Sequence, residues 1–188
     1  MPALAFFDDI ELFEALKPSM KYEHFPKGCV IERSGEISKR LFIIEKGLVR
    51  VFYRKHGKEI SCHFAKEGEI MTGIDSFFTG KPSIYTSDAL EDTYCYSINQ
   101  EQLQWSFDNH PKMDRFGREF ITSAYVELVE RYNSLVYMSA EERYRDFINR
   151  HADLLNRVPL GYISSFLGMS QETLSRIRAK KDAIAHRF

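Results

Sequence analysis

Between Tyr22 and Ile98 the apolar residues come in short β-type runs: Cys29 to Glu32, Leu41 to Ile44, Leu48 to Tyr53, Ile60 to Phe64 and Tyr94 to Ile98. Glycines stand between the runs, at Gly28, Gly35, Gly47, Gly57 and Gly68. Strands with a turn signal about every ten residues predict an antiparallel sandwich or jelly roll. Helical periodicity fits this stretch poorly. Upstream, Ile10, Leu12, Phe13 and Leu16 fit a short amphipathic helix over residues 8–17.

After Asn99 the period lengthens. Asn99 can cap a short helix containing Leu103, Trp105 and Phe107, and Pro111 suits the first turn of a long helix reaching about Met138. Met113, Phe116 or Gly117, Phe120, Ala124, Leu128, Leu135 and Met138 form a stripe spaced by threes and fours, interrupted by Arg131. Ile121, Val126 and Val129 give a second partial face. A long helix with two apolar faces can pack on its own β-domain and on a second copy. The expected dimer residues are Met113, Phe116, Phe120, Ala124, Leu128 and Leu135; the competing reading buries the helix within one subunit. Ser139 to Glu142 is a capping-box signature, so a new helix starts there, with Tyr144, Phe147, Ile148 and Leu155 inward. The break near Ser139 is the expected boundary and hinge. The expected division is a β-roll sensor over 1–110, a dimerisation helix over 111–138 and a helix-turn-helix domain over 139–188.

The stretch from Leu160 to Ala179 reads as that helix-turn-helix. Ile163, Leu167, Met169, Leu174 and Ile177 have the spacing two crossed helices need to share a small core. Ser164 is small where the helices approach, and Gly168 falls in the turn. Ser170 can cap the second helix, and Glu172 suits its positive end. Gln171, Glu172, Ser175, Arg176 and Arg178 then lie outside, with side chains that can reach base edges or phosphates.

Charge sharpens this picture. From Arg157 onward six Lys/Arg face two Asp/Glu, a balance of +4 on a chain of net −1, which leaves about −5 upstream. A basic tail on an acidic body suits a nucleic-acid binder. Cys29, Cys62 and Cys95 are widely spaced, without a CxxC, which suggests reduced thiols rather than a disulfide frame or zinc site. The histidines, His24, His56, His63, His110, His151 and His186, form no HxH pair, and adjacent strand residues Cys62 and His63 should point to opposite faces. No metal or cofactor is expected. Ala3 to Phe7 are apolar but followed by Asp8 and Asp9, and no run approaches a membrane span, so a cytoplasmic protein is expected. No nucleophile–base set, Walker loop or carboxylate pair points to an enzyme.

The order of parts resembles the Crp/Fnr family of bacterial transcription regulators. Lys27 to Gly35, Leu41 to Gly47, and Gly57 through Ile70 resemble its successive β-roll segments, and Ser170 to Ile177 resembles its recognition helix. The fold class implied is α+β: an antiparallel β-roll, a long dimerisation helix and a helical helix-turn-helix domain. The resemblance implies a homodimer on double-stranded DNA, with effector binding in the roll adjusting the paired DNA-binding domains. It implies base reading by Glu172 and Arg176. The chemistry agrees, because a carboxylate accepts from cytosine N4 and a guanidinium donates to guanine O6 and N7. Ser170 and Thr173 would contact phosphate or cap the helix, and Lys180 would contact phosphate. Gln171 stands where many members carry Arg.

Two departures matter. Cyclic-nucleotide-binding members start a phosphate cassette with Gly-Glu and continue to Arg-Ser; the glutamate takes the ribose hydroxyl and the arginine the phosphate. Here the corresponding stretches are Gly73, Ile74, Asp75, Ser76 and then Ser83, Ile84, Tyr85, Thr86, with no arginine between Arg54 and Arg115. Lys81 offers only a flexible point charge. An effector of unidentified chemistry is left open, while cAMP and cGMP are disfavoured. A haem-binding branch also exists, but nothing in the sequence selects Cys62 or His63 as an axial ligand. Second, few residues follow the recognition helix where members usually continue into a β-hairpin wing, so fewer phosphate contacts are expected. The alternative function is a small-molecule-sensing or scaffold dimer whose shortened helix-turn-helix does not bind DNA.

Overall fold

The structure, a computed structural model, describes residues 9–185; Ala3 to Phe7 and His186 lie outside them. Two four-stranded antiparallel sheets form the roll. The strands are β1 (Lys21–Phe25), β2 (Val30–Glu32), β3 (Arg40–Lys46), β4 (Val49–Lys55), β5 (Lys58–Ala65), β6 (Ile70–Met71), β7 (Thr86–Ala89) and β8 (Thr93–Asn99). The first sheet has the order β1-β8-β3-β6 and the second β2-β7-β4-β5. Phe42, Ile44, Val49, Ala65, Met71 and Cys95 fill the space between them.

Both outer faces are covered as well. Leu41 and Ile43 on β3 and Ile98 on β8 pack under α1 (Ile10–Leu16) with Leu12, Leu16, Phe77 and Met113. On the other side Leu48 and Phe64 join Tyr144, Phe147, Ile163, Leu167 and Leu174 of the C-terminal helices. This explains why residues 41–44 read as an unbroken apolar run: successive side chains enter different cores, and each is buried. The C-terminal helices share a core with the roll, so the break near Ser139 separates sequence segments that pack closely together.

The helices begin where their caps stand. α2 (Ile74–Thr79) follows Gly73, and α3 (Gln100–Asn109) starts from Asn99, whose side chain accepts from the Gln102 N–H at 2.8 Å. α4 covers Lys112–Tyr137. α5 (Ala140–Arg150) opens with the full capping box: Ser139 N–H donates to Glu142 at 2.8 Å, and Glu142 N–H donates to the Ser139 hydroxyl. The last pair is α6 (Leu160–Phe166) and α7 (Gln171–Ala185). β1, β6, β7 and α2 are additions to the elements singled out from sequence. At Gly47 the requirement for glycine is explicit: φ is +108°, and a Cβ there would lie 2.7 Å from the Asp92 carbonyl oxygen.

Candidate nucleic-acid interface and effector cassette

α6 and α7 are held by a small shared core. Ile163, Leu167 and Leu174 are buried, and Ile177 packs against them. The chain turns at Gly168, whose φ of +64° is open to glycine at no steric cost. Ser170 then caps α7, accepting from the Thr173 N–H at 3.2 Å. Gln171, Glu172, Ser175, Arg176, Arg178 and Lys180 are exposed, while Leu174 faces inward. Ser170 is also exposed and Thr173 is half-buried, so all eight sequence-expected contact residues lie between the cap and Lys180 of α7. The Ser170 hydroxyl contributes most to holding the Glu172 carboxyl below the usual range, followed by the Glu172 backbone N–H at the helix start, with smaller help from the Arg176 and Lys58 charges.

Two arginines fix this turn, Arg131, which the sequence shows only as a break in the α4 stripe, and Arg143, which it does not mark at all. Arg143 of α5 donates to the carbonyls of Leu167 at 2.7 Å and Met138 at 2.6 Å. Arg131 of α4 donates to the Phe166 carbonyl and stacks 3.9 Å over the Phe166 ring. Both satisfy free carbonyls at the C-terminal end of α6, where a cation is favoured. Burial lowers the Arg131 pKa, and the neighbouring Arg143 adds to that effect.

The pair also docks on the second sheet. The Arg50 side chain leaves β4 and is only 2% exposed. Its guanidinium is sandwiched between the rings of Phe52 at 3.9 Å and Tyr162 of α6 at 3.7 Å. Asp88 of β7 takes it with both oxygens, at 3.0 and 2.7 Å, and Glu59 accepts from the same Nη2 at 3.0 Å. Beside it the Ser61 N–H donates to the Ser165 hydroxyl at 3.1 Å. Arg157 reaches back to Glu67, Glu91 and the Gly47 carbonyl. Burial works to raise the Glu67 carboxyl, but Arg157 and backbone donors outweigh it and hold it at about 2.

The effector cassette is filled from within. Gly73, Ser76 and Ser83 are buried, whereas Ile74, Asp75 and Ile84 point outward and Tyr85 and Thr86 are half-buried. Ser76 accepts from the Ser38 N–H at 2.9 Å and donates to the Lys81 carbonyl. The Ser83 hydroxyl accepts from the Tyr85 N–H at 3.1 Å, and the Thr86 hydroxyl from the Ser34 N–H at 3.1 Å. Glu32, which sequence reading missed, completes the cluster: its carboxylate accepts from the Gly73 N–H at 3.3 Å and from Ser38. A Cβ on Gly73 would run into the Ser38 hydroxyl.

Burial raises the Glu32 pKa above its ordinary value. An acid with a raised folded-state pKa disfavours folding while ionised, and the penalty fades as pH falls through that pKa. Glu32→Gln keeps an acceptor for Gly73 without the charge. It is expected to raise the melting temperature at about pH 8, with the gain shrinking toward acid pH. A thermal-shift series across pH checks this; a variant less stable at every pH would contradict it.

α4 divides its apolar residues between two faces. Met113 is buried in the core under α1 and α3, and Phe116 packs against the same core. Phe120 and Ala124 are half-buried, while Leu128 and Leu135 are exposed. The expected dimer stripe therefore needs correction at its start: Met113 and Phe116 serve their own subunit. The exposed apolar residues run through Ile121, Tyr125, Leu128, Tyr132 and Leu135. At 3.6 residues per turn this row lies roughly a quarter-turn from Met113 and Phe120, so a single stripe from 113 to 135 crosses between two faces.

Among the described residues the thiols and histidines are not gathered into a second site. Cys95 is buried between the sheets and its pKa is pushed up to about 12 by burial; burial likewise lifts Cys62 to about 11. Among the described residues no group of three His, Cys, Asp or Glu is placed to hold a metal ion. Nor is any helix among them long and apolar enough to cross a membrane.

Residues 22–110 match the family profile of the cyclic nucleotide-binding domain. No curated protein sequence matches the chain closely enough to count as a relative. Among solved structures, FixK2 from Bradyrhizobium japonicum aligns with a TM-score of 0.76 at 15% identity, covering 88% of this chain and 86% of its own. A CooA variant from Carboxydothermus hydrogenoformans aligns with a TM-score of 0.75 at 18% identity, over 91% and 79%. A putative transcriptional regulator of the Crp/Fnr family from Eubacterium rectale gives 0.71 at 14%, over 97% and 87%. These likenesses establish the architecture: antiparallel roll, long helix and helical C-terminal part.

Proposed function

We propose that the chain is a homodimeric, sequence-specific DNA-binding transcription regulator of Crp/Fnr type whose roll has lost its response to cyclic nucleotides. It acts in the cytoplasm and is not an enzyme. The observation that carries this reading is the exposed polar surface of α7. Gln171, Glu172, Ser175, Arg176, Arg178 and Lys180 are exposed on a helix whose other side is locked by Leu174 and whose entry turn is held by Arg143. A rigidly mounted helix with amide, carboxylate and guanidinium groups outward can enter a major groove and read base edges.

Selection of binding sites from random DNA by the purified protein is the test. The selected half-sites should be inverted and about 34 Å apart, one turn of DNA. Arg176→Ala should cost about 1–3 kcal/mol on the preferred site and relax the preference at one base pair per half-site. Lys180→Ala should weaken binding to all sequences and reduce the salt slope by about one unit. If Arg176→Ala weakened specific and random DNA equally, its role as a base reader would be wrong.

The insensitivity to cyclic nucleotides rests on the cassette. Ile74 offers no acceptor for a ribose hydroxyl, and Ser83 offers no positive charge. Glu32 already takes the Gly73 amide and would repel a phosphate there. Each missing charge-assisted bond forfeits about 1.5–3 kcal/mol, so two correspond to roughly two to four decades of affinity. Calorimetry with millimolar cAMP or cGMP should find no micromolar binding; a micromolar dissociation constant would return the protein to the nucleotide-responsive branch.

A further inference from the structure

The hairpin that joins β4 to β5 ends in a basic tip. Arg54, Lys55, His56 and Lys58 are all exposed, and no carboxylate stands among them in the chain. The next residue, Glu59, is shared between Arg50 and Arg54, at 3.0 Å from each. His56 and Gly57, with φ of +50° and +74°, make a two-residue turn that suits the twist of paired strands. The register that follows sets Lys55 directly opposite Lys58. Like charges in facing positions repel and weaken a hairpin. Neither lysine makes a salt bridge or side-chain hydrogen bond among the described residues. Two facing ammonium groups without a carboxylate partner, on a tight turn, complement a polyanion better than they serve the fold.

This tip stands beside the start of α7. Lys58 lies three residues before Ser61 on β5, about 10 Å along the strand. Ser61 is tied to α6: its N–H donates to the Ser165 hydroxyl at 3.1 Å, and the two hydroxyls lie 3.1 Å apart. α7 in turn begins against the first turn of α6, where a Cβ on Gly161 would lie 3.3 Å from Gln171 Oε1. Lys58 is close enough to Glu172 for its charge to add to the effect of Ser170 on that carboxyl.

On the reading of the chain as a DNA-binding regulator, α7 enters the major groove by its first turn while the preceding helix crosses the sugar–phosphate backbone. Groups beside α6 and the start of α7 then face backbone rather than base edges. We propose that the β4–β5 hairpin tip is a second DNA contact, in which Lys55 and Lys58 take phosphates at the rim of the groove that α7 reads. The roll thereby adds to DNA affinity directly, without base preference.

The test measures binding of the full chain to a duplex carrying its selected site and to a random-sequence duplex of the same length, across a salt series. Lys55→Ala with Lys58→Ala should weaken binding to both duplexes alike and lower the salt slope by about two units per half-site, one for each phosphate. Between about 50 and about 200 mM salt the parent should therefore lose about tenfold more affinity per half-site than the variant. Lys27→Ala with Lys46→Ala removes the same charge at the opposite end of β4, where the Lys27 N–H donates to Asp92 at 2.9 Å and Val49 pairs with Ala89. That control should leave the slope within about half a unit of the parent's. Lys55→Glu separates binding from folding. It sets an opposite charge against Lys58, so the melting temperature should rise by about 1–3 °C while DNA affinity falls. A slope equal to the parent's overturns the proposal, as does a loss no greater than the control's or a changed base preference at the selected site. A Lys55→Glu protein that melts earlier as well as binding less would assign these lysines to the fold and overturn it too. A parent that selects no site and binds no duplex sinks the regulator reading and this contact with it; a parent that binds, with hairpin variants that match it, sinks only the contact.

Discussion

Arg50→Ala is expected to lower the unfolding free energy by about 3–5 kcal/mol. The size follows from what the side chain leaves behind. Asp88 and Glu59 would lose their shared cation in a region where Arg50 itself is 2% exposed. Tyr162 would lose the flat group on which α6 rests at 3.7 Å. A buried pair broken on one side is costly because the surviving charge stays desolvated, whereas replacing the whole pair by apolar groups is often neutral. Arg50→Met with Asp88→Leu should therefore recover much of the loss. Urea unfolding of the three proteins checks both statements. Hydrogen exchange adds a local readout, since α6 amides should lose protection in Arg50→Ala before those of β3. An Arg50→Ala variant within about 0.5 kcal/mol of the parent would mean that the docking of α6 owes little to this contact.

How far the sequence reveals this molecule depends on which interactions build each part. The apolar run at 41–44 announces β3 because both of its faces are buried. The caps at Asn99, Ser139 and Ser170 announce their helices because the bonding partners lie within three residues. β7 is a different case. Its residues Thr86, Ser87, Asp88 and Ala89 show no apolar rhythm, because Ser87 accepts from the Glu32 N–H and Asp88 pairs with Arg50. Those partners lie 55 and 38 residues away, and no local pattern encodes them. Glu32 in the cassette was hidden for the same reason: its partner Gly73 lies 41 residues away in the chain. The polar face of α7 was legible because helical periodicity alone decides which side Leu174 buries. On α4 the same periodicity misled, since two neighbouring apolar faces blur into one stripe when steps of three and four are both allowed.

The exposed row on α4 leads to the other large effect. Ile121, Tyr125, Leu128, Tyr132 and Leu135 are spaced by four, three, four and three, the pattern of a coiled-coil seam. Leu128 and Tyr125 are each 65% exposed, far more than a chain alone would favour for such side chains in a row. In a parallel two-fold seam each residue meets its own copy, so Leu128→Glu would bring two carboxylates together in place of two leucines. The substitution loses the buried leucine contacts, of the order of 2–4 kcal/mol at a central seam position, and adds desolvated like charges. The variant should be monomeric by light scattering at micromolar concentration while keeping the melting behaviour of its roll. Its affinity for an inverted two-half-site DNA should fall by about three decades or more, toward the level of non-specific binding. Asn133→Glu, exposed on α4 but off the seam, should change neither mass nor DNA affinity. A Leu128→Glu protein that stays dimeric would place the subunit contact elsewhere. One that becomes monomeric yet still binds the paired half-sites with full affinity would detach DNA recognition from dimerisation altogether.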